Sequence, residues 1–281
     1  MNRVGVLYHP QRTDSSELAE DVLSILRARS VSVWQGSTDD EDGLCQAAPS
    51  LDLLITLGGD GTIVRAVRAV AVAGVPILGV NLGRVGFLAE VDPSGVEPAI
   101  EAVMAGQYRI EERMMLHAEL RRGNRVLLDA EAINDVVMAR GSVSRTVRVS
   151  VEVDGYYVMT QTADGIIVST PTGSTAYCLA AGGPIIAPDL NCMTITPVAA
   201  HLALARAIVV PSDRHLCLRL IKGEGAVLTV DGQIDVPLEP GDEVYSKASE
   251  SAARFIRFGG GGYFYNTILR RLRWPDRGLS P

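Results

Sequence analysis

This sequence predicts an α/β N-terminal domain with a parallel, Rossmann-like sheet, then a mainly antiparallel β C-terminal domain and a C-terminal helix returning to the first. Three observations predict it. Strand and helix patterns alternate through residues 1–112, as a parallel sheet with helices on its faces requires. Short strand patterns in residues 113–258 then meet at the turn signals Gly123-Asn124, Asp154-Gly155 and Asp231-Gly232, which favour hairpins. Within the tail, 259–281, apolar and basic residues recur at helical spacing over 267–274.

In the first domain, residues 4–8 read as a strand. Residues 15–29 read as a helix, with a serine start and apolar positions at Leu18, Val22, Ile25 and Leu26. Residues 31–34 make the next strand and 39–42 an acidic loop. Residues 51–57 form a near-continuous apolar run, as a strand covered on both faces needs. A helix over 63–70 follows, with Thr62 near its N-cap, then a strand over 75–80 and a helix over 96–105. In the second domain, strand patterns fall at 115–120, 125–130, 147–153, 156–162, 208–211, 216–221, 226–230 and 243–247, with a helix-like insert at 174–181. The glycines of 259–262 read as a flexible connector.

With 26 Lys and Arg against 33 Asp and Glu, the net charge is −7 and no basic block occurs, which argues against nucleic acid as a partner. A small phosphorylated ligand in a local pocket remains compatible with that charge. Cys45, Cys178, Cys192 and Cys217 lie far apart with no C-x-x-C pair, as free thiols of a reducing compartment do. The first eight residues read as a strand rather than a signal peptide. The apolar stretch 69–78 is too short for a membrane span and is broken by Gly74 and Pro76. A cytoplasmic protein is expected.

Gly58-Gly59-Asp60-Gly61-Thr62 is the most informative stretch, because a buried strand precedes it and a helix follows. Glycines let backbone N–H groups approach phosphate oxygens, and a helix N-terminus favours negative charge. A carboxylate inside such a turn repels a phosphate unless it holds a metal ion or accepts a proton from a hydroxyl under phosphoryl attack. The plainer alternative is that Asp60 merely caps the helix. Neither G-x-x-x-x-G-K-[ST] nor G-x-G-x-x-G occurs, so this is not an ordinary P-loop or dinucleotide fingerprint.

Ala132-Ile133-Asn134-Asp135-Val136-Val137 puts two polar side chains in an apolar strand, which is costly without partners. They either present acceptors to sugar hydroxyls or form a turn or satisfied internal pair. From Thr162-Ala163-Asp164-Gly165, a polar turn leads through a buried strand to a hydroxyl-rich loop, Thr170-Pro171-Thr172-Gly173-Ser174-Thr175. That loop suits a nucleotide, and Tyr177 is placed to stack on a base. Arg65, one turn into its helix, either reaches a phosphate or is solvated. His201 has no acid or cysteine at ligand spacing and reads as structural. No G-x-S-x-G or H-E-x-x-H element occurs.

In the same order, Gly58-Gly59-Asp60-Gly61-Thr62, Asn81-Leu82-Gly83-Arg84-Val85-Gly86-Phe87-Leu88, Asn134-Asp135, Thr172-Gly173-Ser174-Thr175-Ala176-Tyr177 and Asp231-Gly232-Gln233 resemble the NAD kinase family. The likeness covers nearly the whole chain. It implies transfer of the γ-phosphoryl of ATP, or of polyphosphate in some members, to the adenosine ribose 2′-hydroxyl of NAD, giving NADP. By this resemblance Asp60 accepts the hydroxyl proton and, with Gly61, contacts NAD, while Gly58, Gly59, Gly61 and Thr62 bring backbone to the phosphates. Asn134 and Asp135 would hold ribose hydroxyls, while Arg65, Arg145, Thr162 and Asp164 fall where the family contacts NAD. Thr175, Ala176, Tyr177, Cys178, Leu179 and Ala180 match the adenosine-side loop, and Gln233 a further contact. The resemblance also implies Mg²⁺ bridging the phosphates, a homodimer or homotetramer, and no membrane partner. Lipid kinases share Gly-Gly-Asp-Gly, but this chain has no amphipathic basic segment for a membrane substrate. It departs from the family pattern around His201, where Val198-Ala199-Ala200 precedes the histidine in place of a run containing proline and cysteine.

Overall fold

A computed structural model describes residues 1–83, 86–141, 146–200, 206–259 and 262–272. Two units form: Met1–Glu112 with the chain from Ala253 onward, and Arg113–Ala252.

Unit 1 is an α/β layer structure. Strands β1 (Arg3–Tyr8), β2 (Ser32–Ser37), β3 (Leu53–Gly58) and β4 (Ile77–Asn81) are all parallel, in the order β2-β1-β3-β4. Helices α1 (Thr13–Ala28), α2 (Glu41–Ala47), α3 (Asp60–Val70) and α4 (Val96–Met104) connect or follow them. β3 is buried at every residue, as its apolar run requires. Val4, Val6, Leu53, Ile55 and Leu57 pack with Val22, Leu23 and Leu26 of α1 and Ile100 and Val103 of α4. The acidic stretch 39–42 is a loop only as far as Asp40; Glu41 and Asp42 already belong to α2. The Asp40 carboxylate caps α2 by accepting the Gly43 N–H at 2.9 Å, which turns acidic residues into a helix start.

Unit 2 is antiparallel. β5 (Arg109–Arg122) carries the chain in, followed by β6 (Arg125–Ala132), β7 (Asp135–Arg140), β8 (Val147–Val153), β9 (Tyr156–Ala163) and β10 (Gly165–Ser169). A short helix α5 (Tyr177–Ala180) precedes β11 (Cys192–Val198), β12 (Ile208–Pro211), β13 (Leu216–Lys222), β14 (Ala226–Val230), β15 (Ile234–Pro237) and β16 (Glu243–Arg257). One sheet has the order β12-β11-β10-β7-β14-β15. β5 pairs with β6, and β13 pairs with β8 and β16. Alternate residues meet in a core that includes Leu116, Val136, Met138, Val149, Ile166, Ile195, Leu218 and Leu228. Asp154 and Gly155 both have positive φ, 51° and 77°, as a type I′ turn between β8 and β9 demands.

β5 and β16 run 14 and 15 residues, far beyond the 115–120 and 243–247 of the sequence expectation. β16 continues through small and polar residues to Phe255, which pairs with Ile77 of β4, so residues 253–258 cluster with unit 1. β11 escaped sequence reading because Thr194 and Thr196 alternate with Met193 and Ile195, yet all four are buried. The tail helix α6 (Tyr263–Leu272) belongs to unit 1 and starts earlier than the expected 267.

Candidate functional site

In unit 1 the glycine turn lies where β3 ends and α3 begins. Gly59 is the N-cap in extended backbone, no side chain caps the helix, and Asp60 is the first helical residue. The expected cap at Thr62 is therefore corrected. Thr62 is buried in the first turn, so near Gly58 that a methyl on that glycine would overlap it. Gly61 is exposed.

Asp60 does not cap its helix either. Its carboxylate crosses to the segment after β4, where Oδ2 accepts the Phe87 N–H at 2.9 Å and Oδ1 the Leu88 N–H at 3.2 Å. A methyl at Gly86 would overlap that carboxylate, so glycine is needed there for close approach. The amide segment is itself tied down. Buried Arg257 donates to Leu88 O at 2.9 Å and pairs with Glu90 at 3.1 Å, while Glu90 accepts the Phe258 N–H at 2.8 Å. Tyr263 Oη donates to Ala89 O. Arg271 of α6 lies 3.6 Å from Asp60 Oδ2. Arg65 is half-buried and donates to Thr38 O at 3.1 Å, so it is not freely solvated.

In unit 2 the polar pair stands at a junction, not inside a strand: β6 ends at Ala132, the chain bends at Ile133 and Asn134, and β7 begins at Asp135. The Asp231 carboxylate, in the hairpin between β14 and β15, fixes the bend. It accepts the N–H groups of Ile133, Asn134 and Asp135 at 2.9, 2.7 and 3.0 Å. The 170–176 loop closes the other side. Thr170 N–H donates to Asn134 O at 2.9 Å, and a methyl at Gly173 would overlap that carbonyl. Asp135 is 4% exposed, and its carboxylate accepts the Tyr177 N–H at the start of α5. Burial, helped by the nearby Asp231 charge, pushes the Asp135 carboxyl up to about 7, against the pull of that amide.

Thr175 Oγ1 donates to Thr172 O at 3.0 Å, Ala176 N–H to Gly173 O at 2.9 Å, and Leu179 N–H to Ala176 O at 3.2 Å. Tyr177 and Ala180 are exposed beside the bend. Cys178 is buried, with Sγ 3.3 Å from Thr196 Oγ1, so it packs rather than lines a surface. Gln233 follows the Asp231-Gly232 turn, its N–H donating to Val230 O at 3.0 Å.

Thr162 and Asp164 are not brought into this cluster. Asp135 faces Ser169 and Ala139 faces Gly165, so the β9–β10 turn lies at the opposite end of β7. Four residue steps separate these two pairs, about 14 Å. There Asp164 pairs with Arg140 at 2.9 Å. Arg145, His201, Arg84 and Val85 lie outside the described residues. Sequence reading missed the amides of Phe87 and Leu88, the carboxylate of Asp231 and the guanidinium of Arg271. For Asp231 a signal existed, an acidic residue at a hairpin turn, but not its partners.

Among the described residues, no group of three or more His, Cys, Asp or Glu could hold a metal ion, and no helix is long and apolar enough to cross a membrane.

Comparison with known proteins extends this picture. Residues 22–108 match the family model of the ATP-NAD kinase N-terminal domain, and residues 133–258 that of the ATP-NAD kinase C-terminal domain. An NAD kinase of Heliobacterium modesticaldum is 42% identical over 278 residues, covering 96% of this chain and 98% of that protein. One of Moorella thermoacetica is 39% identical over 282 residues, covering 97% and 90%. Among solved structures, an NAD kinase from Archaeoglobus fulgidus in complex with ATP superposes with a TM-score of 0.76 at 26% identity, covering 95% of this chain and 98% of that one. A yeast NADH kinase complexed with NADH shares the fold, with a TM-score of 0.87 at 24% identity, covering 100% and 90%.

Proposed function

The chain belongs to the ATP-NAD kinase family, and we propose that it transfers the γ-phosphoryl group of ATP to the 2′-hydroxyl of the adenosine ribose of NAD, producing NADP. In this reaction a bond forms between the 2′-oxygen and the γ-phosphorus. The bond from that phosphorus to the β–γ bridging oxygen breaks, and ADP leaves with the electron pair. The hydroxyl proton goes to Asp60, whose carboxylate is oriented by the Phe87 and Leu88 amides. Gly58, Gly59, Gly61 and the start of α3 offer backbone N–H groups to the phosphates of ATP.

Asn134 and Asp135 take the ribose hydroxyls of NAD, and a rigid bend serves that task because misplacement costs rate steeply. Thr175 to Ala180 and Gln233 form the adenosine side, with Tyr177 exposed for stacking. Thr162 and Asp164, at the far end of β7, suit the other half of a long dinucleotide, and Arg145 is assigned to NAD by the family pattern. Mg²⁺ would be brought by ATP to the glycine turn and Asp60, where it would supply positive charge to offset that of the phosphates. The same reading places the protein in the cytoplasm as a homo-oligomer of two or four copies, without membrane or nucleic-acid partners. Cell fractionation and sedimentation velocity test those points.

Two observations carry the proposal: both family models match in chain order, and Asp60 stands at a helix start without serving as its cap. The test is NADP formation from NAD and ATP-Mg by the purified protein. Absence of NADP together with phosphorylation of a lipid would favour the lipid-kinase relatives that share the glycine motif. Replacing ATP by polyphosphate settles the donor range.

A further inference from the structure

Asp60 meets a third polar partner from the end of the chain. Arg271, in the last turn of α6, sets its guanidinium 3.6 Å from Asp60 Oδ2 and 4.8 Å from the centre of the Phe87 ring. The seat is built rather than incidental. Phe87 packs on Phe264 of the same helix at 6.2 Å between ring centres, and Tyr263 donates to Ala89 O. Helix α6 and the segment whose amides hold Asp60 thus form one support.

The pair is poorly explained as a device for stability. Arg271 is 37% exposed, and an ion pair so open to water adds little to folding. A cation at this point matters once anions gather. ATP brings its γ-phosphate toward a turn whose first helical residue is already a carboxylate, and like charges at such range repel. Four other arginines of unit 1 have partners of their own: Arg12 with Asp14, Arg68 with Glu41, Arg257 with Glu90, and Arg65 with Thr38 O. Arg271 is aimed at the Asp60 carboxylate.

We infer that Arg271 is a positioning residue of the phosphoryl-transfer site, holding Asp60 in line and offsetting its charge as the γ-phosphoryl group of ATP approaches. This rests on the kinase reading above. Helix α6 then belongs to the reacting apparatus of unit 1 rather than merely closing its core. Because the effect runs through Asp60, it falls mainly on turnover.

The test compares steady-state NADP formation by the full-length wild type, Arg271→Gln, Arg271→Lys and Arg270→Gln, each with a melting curve and an equilibrium NAD titration. Glutamine keeps length and helix propensity. Arg271→Gln should lose roughly 10- to 100-fold in kcat, the scale of one lost charge-assisted contact. Its melting point should stay close to wild type, and any change in NAD affinity should be small beside the loss in kcat. Arg271→Lys should recover much of the rate, added guanidinium ion should raise the rate of Arg271→Gln, and Arg270→Gln should behave as wild type. A kcat for Arg271→Gln within about twofold of wild type overturns the inference. So does a loss that neither lysine nor guanidinium restores, or an equal loss in Arg270→Gln. An active wild type with an unaffected Arg271→Gln refutes this inference alone, whereas a wild type that forms no NADP refutes the kinase reading and this one with it.

Discussion

The Asp231 carboxylate accepts the backbone N–H of Asp135 at 3.0 Å, and on top of burial, the larger cause, its charge raises the proton affinity of the Asp135 side chain. One residue therefore fixes the bend and tunes the group that the bend presents. A carboxylate that accepts three consecutive amides holds a backbone turn more firmly than neutral hydrogen bonds would. What it builds is strained in charge: two carboxylates near one another, one of them nearly out of water.

Removing the presented carboxylate should separate the two substrates. Asp135→Ala should weaken NAD by about 1.5–3 kcal/mol, roughly 10- to 150-fold, the worth of a charged acceptor on sugar hydroxyls. ATP affinity should barely move. Isothermal titration with each nucleotide checks this, and equal weakening of both would count against the assignment.

The raised carboxyl also predicts a pH dependence of stability in the nucleotide-free protein. The folded value of about 7 lies above the unfolded value of about 4, so between them the folded chain keeps a proton that the unfolded chain has shed. The contribution is fully present below about pH 4 and is lost as pH rises to about 7, amounting to a few kcal/mol. Asp135→Asn cannot shed that proton. Relative to the wild type it should gain in melting temperature between pH 5 and pH 8. A constant difference across that range would show that Asp135 ionises normally.

Gly86→Ala should act through Asp60, since the added methyl overlaps its carboxylate. Turnover should fall by roughly tenfold or more, in keeping with the steep cost of a displaced catalytic group. In a double-mutant cycle with Asp60→Asn the two losses should not add, because both remove the same carboxylate from its place. Full additivity would mean that Gly86 matters for another reason.

The architecture was legible because local pattern and burial agree over most elements. The run at β3 is buried throughout, and the Asp154-Gly155 turn has the two positive φ values that its residues suggest. The long strands β5 and β16 were cut short because their polar and small residues carry no apolar alternation for a one-dimensional reading to follow. The residues around the site were legible as motifs and illegible as contacts. Nothing near Asp60 in the sequence points to the Phe87 and Leu88 amides or to Arg271, and nothing near Asn134 points to Asp231, 97 positions away. Both clusters are held together by long-range contacts that spacing along the chain cannot encode.

Whether Asp60 takes the proton is read in kcat for NADP formation by Asp60→Asn. Asparagine keeps the size but accepts through one oxygen, so one of the two amides loses its partner, costing about 1–3 kcal/mol of stability. A melting curve confirms that the variant is folded at the assay temperature. With Asp60 as the base, kcat at saturating NAD and ATP should fall by about 10²–10⁴-fold, the usual worth of a positioned base. A folded variant that turns over within a few-fold of the wild type would contradict that role.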